Sequence, residues 1–339
     1  MRYKWLKQVR NWWDNKALVL MYHRVADLLF DPFQLAVSPE NFEQQLQVLK
    51  KDYKVIQVNE LIDQLQRRTV TSNSVCITFD DGYCDNYTNA RPLLEKYQCN
   101  ATFYIVSEFI EKSKLFWWDE LQFIFLNTPK LPSFLSININ GELIECSLDN
   151  NGKLTKEEWM MQRSWLFDEF PVTQRCELLL TIWFHLKPLP YVEQQRIIQN
   201  LKAWSASLSP FPQQEDFPMT EQQLQIMGNN PLFDIGVHTS THPSLPRNNI
   251  DMQYREIAEC KEYLEKKYRR QMHTISYPYG DYNDVTLDIV KEQRLKGAFT
   301  TDEWIVNKRT SPIRIGRFQV KNWTGCEFQS QLRQWFKKK

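Results

Sequence analysis

VCITFDDGY, residues 75–83, is an apolar run that ends in two adjacent aspartates, a glycine and a tyrosine. The run Val75–Phe79 is short and apolar, which predicts a buried strand. Two adjacent carboxylates at a strand end repel each other and are costly unless a cation, a metal or solvent compensates them. Because neighbouring residues at a strand end point in different directions, one of Asp80 and Asp81 can bind a metal while the other stays free as a base. An ordinary turn with a helix cap is the alternative for an isolated Asp-Asp-Gly sequence.

Short apolar runs alternate with helical stretches on both sides of this sequence, which is the pattern of an α/β sheet or barrel. Ser38 and Pro39 are a typical N-cap and first-turn residue, so they predict the start of a helix. Further helices are predicted over Asn86–Tyr97 and Asp251–Tyr268. Six strands are predicted, at Ala17–Met21, Val75–Phe79, Ala101–Val106, Asp234–Val237, Thr274–Tyr277 and Ala298–Thr300. These elements predict one main α/β domain over residues 16–330.

The alternation is lost between about residues 112 and 219. Ser136–Leu148 alternates in polarity around Asn140-Gly141, which is a strong signal for a β-hairpin. Thr155–Ser205 is helical in character, rich in tryptophan and broken by prolines. We interpret residues 112–219 as a large, mostly helical insertion or lid between two strands of the main domain. A separate second domain is the alternative.

The charge balance excludes one broad class of function. The 339 residues contain 42 Lys+Arg and 41 Asp+Glu, so the formal net charge is +1. A nucleic-acid-binding protein would carry a basic stripe and a high isoelectric point. The sequence therefore predicts no nucleic-acid partner, and it suits an uncharged substrate.

The chain ends and the cysteines bear on location. Residues 1–13 mix cations with tryptophans, unlike a secretory signal, and we separate residues 1–15 from the main domain. This segment could contact an anionic membrane surface peripherally, or it could be a terminal helix packed on the domain. Seven cysteines without a CxxC pair predict neither a disulfide framework nor a cysteine zinc site. The expected location is the cytoplasm. Peripheral attachment to the cytoplasmic face of the membrane is the second location that the sequence allows.

A second polar sequence follows another predicted strand. His238–His242, HTSTH, comes directly after the strand ending at Val237. Two histidines four residues apart share a face if the intervening residues form one helical turn, and such a pair can bind Zn²⁺. A structural role for both imidazoles is the alternative. If both strand ends meet at one barrel rim, Asp80 or Asp81 joins the two histidines, and three protein ligands are typical of a catalytic metal site.

Four motifs together resemble the polysaccharide deacetylase family, the nodulation-type deacetylase homology domain of carbohydrate esterases. They are Met21–Val25 (MYHRV), Thr78–Gly82 (TFDDG), His238–His242 (HTSTH) and Tyr277–Gly280 (YPYG). The N-terminal MYHRV motif is similar to that of a subgroup with permuted motif order. The resemblance implies a distorted (β/α)7 barrel and metal-dependent removal of acetyl groups from N-acetylated sugars, or in some members from O-acetylated polymers.

The resemblance also implies a role for each motif residue. Asp80 would be the general base, and Asp81, His238 and His242 would bind a divalent metal, for which Zn²⁺ is the prediction. The backbone N–H of Tyr279 would help to hold the oxyanion.

The sequence departs from the family pattern at two positions. Ser276 stands where the family has an arginine that orients the base, and Arg317 is the candidate substitute, with a surface or salt-bridge role as its alternative. No histidine follows His273, so the usual acid is missing. His23 is the candidate acid that protonates the leaving amine, with a core or loop role as its alternative.

Two tryptophans are weaker candidates. Trp117 and Trp118 could form a platform on which sugar rings stack, or they could anchor the insertion. The predicted substrate is an N-acetylated sugar of a polysaccharide, glycan or glycan precursor. Two other functions stay open: hydrolysis of another non-peptide C–N bond at the same site, and glycan binding without catalysis.

Overall fold

The computed structural model describes residues 15–110, 112, 114–205 and 213–338. The predicted membrane contact through residues 1–13 lies outside these residues and stays a prediction. Within them, no helix combines the length and the apolar character that crossing a membrane requires.

The strands and helices have the following bounds. The strands are β1 Lys16–Tyr22, β2 Arg24–Val25, β3 Ala36–Val37, β4 Lys54–Val55, β5 Ser74–Phe79, β6 Ala101–Ile105, β7 Phe134–Ile139, β8 Glu142–Ser147, β9 Phe233–Val237, β10 Thr274–Ser276, β11 Gly297–Phe299, β12 Val306–Asn307 and β13 Phe318–Gln319. The α-helices are α1 Pro39–Asp52, α2 Val58–Gln66, α3 Arg91–Tyr97, α4 Trp117–Gln122, α5 Lys156–Ser164, α6 Gln174–Leu186, α7 Tyr191–Ser205, α8 Glu221–Asn229, α9 Ile250–Tyr268, α10 Asp284–Glu292 and α11 Gly325–Trp335.

Parallel strands form a curled barrel. The main sheet has the order β11-β10-β9-β6-β5-β1, and each neighbouring pair in this order is parallel. β13 continues the curl, because Phe318 pairs in parallel with Leu20 of β1 while Ile315 forms a parallel bridge with Phe299 of β11. In the described part of the chain, seven parallel strands therefore follow one another around the barrel. The predicted distorted (β/α)7 fold is confirmed, although β13 was not predicted.

The barrel strands are buried on both faces, as parallel strands between helices usually are. Every residue of β5 and β6 is buried. Alternate residues of β1 enter two different cores, because successive side chains of a strand point to opposite faces. Leu18 and Leu20 pack in one cluster with Phe42 of α1, whereas Ala17 and Val19 belong to a second cluster that includes Phe299 and Leu61 of α2.

The chain leaves the barrel after β6 and returns to it at β9. Between these strands it forms the hairpin β7–β8 and the helices α4 to α7, as the polarity pattern predicts. This part has its own hydrophobic core, which meets the barrel side at Phe30, Tyr83 and Val106. The buried guanidinium of Arg175 cross-links it by donating to the carbonyl oxygens of Phe125, Thr128 and Gly152. The boundaries 112–219 stay a prediction.

Candidate active site

The carboxyl ends of β5 and β9 bring one carboxylate and two imidazoles together. Oδ1 of Asp81 lies 3.4 Å from Nε2 of His238 and 3.4 Å from Nε2 of His242. The ligand atoms of the three residues all lie within 4.8 Å of one another, and all three residues are buried. The predicted convergence of the two motifs is therefore present in the structure.

The histidine pair is placed by a loop rather than by the helical turn that the spacing suggested. Thr239 and His242 have positive φ angles of 66° and 62°. The hydroxyl of Thr239 accepts a hydrogen bond from the backbone N–H of His242 at 3.0 Å. Glu256 of α9 fixes the loop from outside by accepting from the backbone N–H and the hydroxyl of Thr241, at 2.8 and 2.6 Å. The strained loop backbone brings His238 and His242 to the same side of the site, and these hydrogen bonds stabilise that conformation.

The donor set fits a divalent metal ion. Oδ1 of Asp81 is buried and has no hydrogen-bond donor among the described residues. Nδ1 of His238 is 2.8 Å from the carbonyl oxygen of Ser276, so its Nε2 is free to face Asp81. Burial lowers the pKa of His242 to about 3, which keeps that imidazole in the neutral form that a metal requires. A carboxylate and two imidazoles suit Zn²⁺ and related transition metals.

Asp80 lies beside this cluster and makes different contacts. Both of its oxygens accept from Arg317, with Nη1 to Oδ1 at 2.7 Å and Nη2 to Oδ2 at 2.6 Å. Burial alone would raise the pKa of Asp80, but the Arg317 guanidinium holds that pKa well below its usual range. Asp80 is therefore ionised at neutral pH, and its Oδ2 is 3.9 Å from Nε2 of His238.

Arg317 contacts Asp80 from another part of the chain, on the side where Ser276 also contacts it. Arg317 is fully buried and precedes β13, the strand that the sequence pattern missed. Its Nη2 donates to the Ser276 hydroxyl at 2.7 Å, and that hydroxyl donates to Oδ2 of Asp80 at 3.0 Å. Its Nε donates to the carbonyl oxygen of Thr300 at 3.0 Å. Arg317 is therefore not a surface residue, but its contacts with Asp80 also form a salt bridge, so its role in orienting the base stays a prediction.

Tyr279 lies in a tight turn over the metal ligands. Its φ angle is 58°, and its ring centroid is 4.6 Å from that of His242. Gly280 follows with a φ of 74°, and a Cβ there would lie 2.2 Å from Oγ1 of Thr301. Only glycine fits that position without displacing Thr301, so the turn that carries Tyr279 is fixed.

A cleft of about 440 Å³ opens onto these residues. His23 lines it, and the backbone carbonyl of His23 accepts from Nδ2 of Asn86 at 2.8 Å. The cleft is lined by Met21, His23, Phe33, Leu35, Asp80, Asp81, Trp118, Trp183, Lys187, His238, His242, Tyr279, Thr301, Glu303 and Gln319. All the predicted residues except Trp117 and Arg317 therefore face one space.

Trp117 and Trp118, the predicted sugar-stacking platform, differ in their access to the cleft. Trp117 is only 1% exposed and packs against Trp118 and Trp183. Trp118 lines the cleft, but its ring is stacked on Phe116 at 4.6 Å and lies 4.8 Å from the ring of His242. Trp117 therefore packs inside the hydrophobic core of the inserted part, whereas a sugar contact of Trp118 stays a prediction.

Sequence reasoning missed two cleft residues of the inserted part, Trp183 and Lys187. Nζ of Lys187 pairs with Asp281 at 3.1 Å and lies 4.6 Å from the ring centroid of Tyr279. Trp183 contacts Tyr279 with the two rings at 88°. Neither residue stands in a motif or after a barrel strand, and only the folding of α6 back over the barrel brings them to the site.

A buried hydrogen-bond chain lies behind His242. Nε1 of Trp118 donates to the hydroxyl of Tyr83 at 2.8 Å, and that hydroxyl donates to Oδ2 of Asp119 at 2.8 Å. Burial raises the pKa of Asp119 from 3.8 to about 7. The native protein therefore holds a proton on Asp119 that the unfolded chain releases near pH 4.

This shift predicts a pH-dependent gain in stability for Asp119→Asn. Because the native state holds this proton and the unfolded state does not, the free energy of unfolding of the wild type falls as the pH increases from about 4. The fall is complete above about pH 7. The free energy of unfolding of the variant should therefore rise relative to wild type between pH 5 and pH 8, by at most about 3 kcal/mol, because only about two pH units of the shift lie in this range. Urea unfolding at both pH values measures the difference. Asp288→Asn, at an exposed site, is the control, and equal differences at both pH values for Asp119→Asn would contradict the prediction.

The chain matches a known protein family and several curated proteins. Residues 67–127 and 191–298, about half of the chain, match the family model described as polysaccharide deacetylase. The poly-beta-1,6-N-acetyl-D-glucosamine N-deacetylases of Staphylococcus aureus and Staphylococcus epidermidis are each 21% identical to this chain, over 95% of it and 83% of their own length.

Solved structures share the fold. A Streptococcus pyogenes deacetylase, PplD in complex with acetate, superposes with a TM-score of 0.54 at 21% identity, over 94% of this chain and 98% of that one. A de-N-acetylase from Aggregatibacter actinomycetemcomitans gives 0.55 at 17% identity, over 95% of this chain and 100% of that one.

Proposed function

The chain belongs to the polysaccharide deacetylase family, and from that premise we propose that it is a metal-dependent N-deacetylase of a glucosamine-based polysaccharide or oligosaccharide. The observation that carries the proposal is the buried Asp81, His238 and His242 cluster with the ionised Asp80 beside it. The similar Staphylococcus proteins, named for poly-beta-1,6-N-acetyl-D-glucosamine, make that polymer the first substrate to test.

The metal would be held by Asp81, His238 and His242, and Zn²⁺ is the ion that best suits these ligands. When bound, a divalent cation supplies Lewis-acid chemistry to the acetyl carbonyl and lowers the pKa of water. The chain's own contribution is orientation: the Ser276 carbonyl holds the ring of His238, and the loop hydrogen bond of Thr239 holds His242.

Asp80 would act as the general base. A carboxylate of Asp80 takes the proton of the attacking water, and the Arg317 guanidinium and the Ser276 hydroxyl keep it ionised and fixed in orientation. The backbone N–H of Tyr279 would donate to the oxyanion that forms at the carbonyl oxygen. The rigid turn through Gly280 holds that N–H in place.

His23 would protonate the leaving amine, since it lines the same cleft as Asp80. Burial lowers the pKa of His23, and the nearby carboxylates of Asp81 and Asp80 oppose that effect. We expect His23→Gln to lower kcat for an N-acetylated sugar by about 100-fold, because the amine then leaves without a proton donor. Acetate release at saturating substrate measures this loss.

The matched substrate for His23→Gln is 4-nitrophenyl acetate, whose leaving group needs no proton. The variant should hydrolyse this ester within about threefold of the wild-type rate, because a general acid adds little for such a leaving group. Equal losses on the ester and on the sugar amide would show that His23 has a structural role instead.

A substrate panel tests the proposed function. Acetate release is compared between an N-acetylglucosamine oligosaccharide, an O-acetylated oligosaccharide and a set of small non-sugar amides. The proposal predicts by far the highest kcat/KM for the N-acetylated oligosaccharide. A preference for a non-sugar amide would favour the related hydrolase reading, and sugar binding without any acetate release would favour a glycan-binding protein.

A further inference from the structure

A second cavity lies beside the cleft and takes no part in the chemistry described so far. Its volume is about 280 Å³, compared with about 440 Å³ for the cleft. Leu35 lines both spaces. In two pairs of consecutive residues, one residue lines each space. His23 and Trp118 line the cleft, whereas the next residues, Arg24 and Asp119, line the second cavity. The two spaces therefore share a wall.

The charges around the second cavity are unbalanced. Among the described residues, four carboxylates and one cation line it: Asp27, Asp31, Asp119, Asp216 and Arg24. The guanidinium of Arg24 is already engaged, because Nε donates to Asp85 at 2.8 Å and Nη2 donates to Asp216 at 3.1 Å and to the carbonyl oxygen of Glu215 at 2.8 Å. Asp31 accepts from the backbone N–H groups of Leu35 and Ala36, whereas Asp119 has no ion pair of its own among the described residues, and Arg24 only partly offsets the effect of burial on its pKa.

Asp119 is the most deeply placed of these carboxylates. It is 7% exposed, and in the described part of the chain its one hydrogen bond comes from the Tyr83 hydroxyl to Oδ2. No cationic side chain contacts it there, and no donor reaches its Oδ1. The Asn127 side chain, which also lines the cavity, has a buried amide oxygen without a donor among the described residues. The cavity wall thus has a surplus of acceptors, which a ligand that carries donors and positive charge would satisfy.

The rest of the wall is apolar. Phe30 is buried with 7% exposure, and Leu29 is 48% exposed at the same cavity. Apolar side chains suit the C–H faces of a pyranose ring, while a metal ion would gain nothing from them. The combination of apolar surface and unpaired carboxylate matches a cationic sugar better than an inorganic cation.

We propose that the second cavity is a subsite for a glucosamine unit, the free-amine sugar that would lie next to the N-acetylated unit in the cleft. The proposal rests on the proposed function, because deacetylation of a polymer creates such neighbours. The ammonium group of that unit would displace the proton that Asp119 holds in the free protein and pair with the resulting carboxylate, and its ring would lie against Phe30. The enzyme would then bind partly deacetylated chains in preference to fully acetylated ones.

Two trisaccharides test the subsite. Both have N-acetylglucosamine in the middle with β-1,6 linkages; the flanking units are glucosamine in one and N-acetylglucosamine in the other. For wild-type protein, kcat/KM for release of the middle acetyl group should be about tenfold higher with glucosamine flanks, the size of a partly buried charged hydrogen bond. In Asp119→Asn this ratio should fall to about one. The ratio cancels any loss that affects both substrates equally, and the asparagine can still accept from Tyr83.

Glu303→Gln is the matched control, because Glu303 lines the cleft and not the second cavity. The tenfold ratio should persist in Glu303→Gln. If the ratio falls to one in Glu303→Gln but stays tenfold in Asp119→Asn, the cleft recognises the amine and the proposal is overturned. A wild-type ratio of one would also overturn it while leaving the proposed function intact. If neither trisaccharide releases acetate, the proposed function fails, and calorimetric binding of a glucosamine trisaccharide to wild type and Asp119→Asn still decides the subsite. Binding of Mg²⁺ alone, lost in Asp119→Asn without any sugar binding, would show a simple cation site instead.

Discussion

Asp80→Asn is expected to lower kcat for acetate release by about 1000-fold, because the amide cannot take a proton from the attacking water. The change is nearly isosteric and leaves Asp81, His238 and His242 in place. The variant should therefore still bind one divalent metal per chain. Acetate release and metal content, measured on the same preparation, check both parts of the prediction.

The replacement also removes the partner of a buried guanidinium. Arg317 is fully buried and makes its only ion pair in the described residues with Asp80, so the variant should unfold more easily, by about 3 kcal/mol. Activity is therefore compared at a temperature at which both proteins are folded by circular dichroism. Wild-type activity in a folded, metal-loaded Asp80→Asn protein would contradict the assignment of Asp80 as the base.

His238→Ala should weaken metal binding by roughly 1000-fold, since each ligand carries a large share of the binding free energy of such a site. Acetate release should fall by a similar factor at limiting metal. Competition with a chelator of known affinity measures the metal dissociation constant. The matched control is His273→Ala, at a half-buried histidine that lies outside the cleft. Unchanged metal affinity in His238→Ala would mean that the Asp81, His238 and His242 cluster is not the metal site.

The main elements of the fold could be predicted because they leave strong local patterns. β5 is a short, mostly apolar run that ends directly before Asp80, and β9, although it contains Asp234, ends in a buried stretch directly before His238; both predicted strands have the observed carboxyl ends. β13 has only two residues, and its pairing with β1 depends on the barrel having already curled. No local pattern marks such a strand, so Arg317 could be predicted only as a candidate.

Site residues that directly follow a strand could be predicted, whereas those that reach the cleft only through tertiary packing could not. Asp81 and His242 stand in motifs, whereas Trp183 reaches the cleft only through the fold of the inserted part. The sequence could not separate Trp117, which is buried, from Trp118, which lines the cleft, because composition does not show which ring faces are covered. The charge imbalance at Asp119 depends on burial, which the sequence does not display. The cytoplasmic location and the membrane contact of residues 1–13 stay predictions.

The proposed function depends above all on a bound metal ion, so the metal dependence of acetate release is the decisive measurement. Wild-type protein is stripped with a chelator and assayed on a β-1,6-linked N-acetylglucosamine pentasaccharide before and after Zn²⁺ is restored, with acetate and free amine quantified together by NMR. A metal-dependent deacetylase gives no product without metal, and equal amounts of acetate and amine once one ion per chain is bound. Acetate release by the stripped protein, or none by the fully loaded protein, would contradict the proposed function.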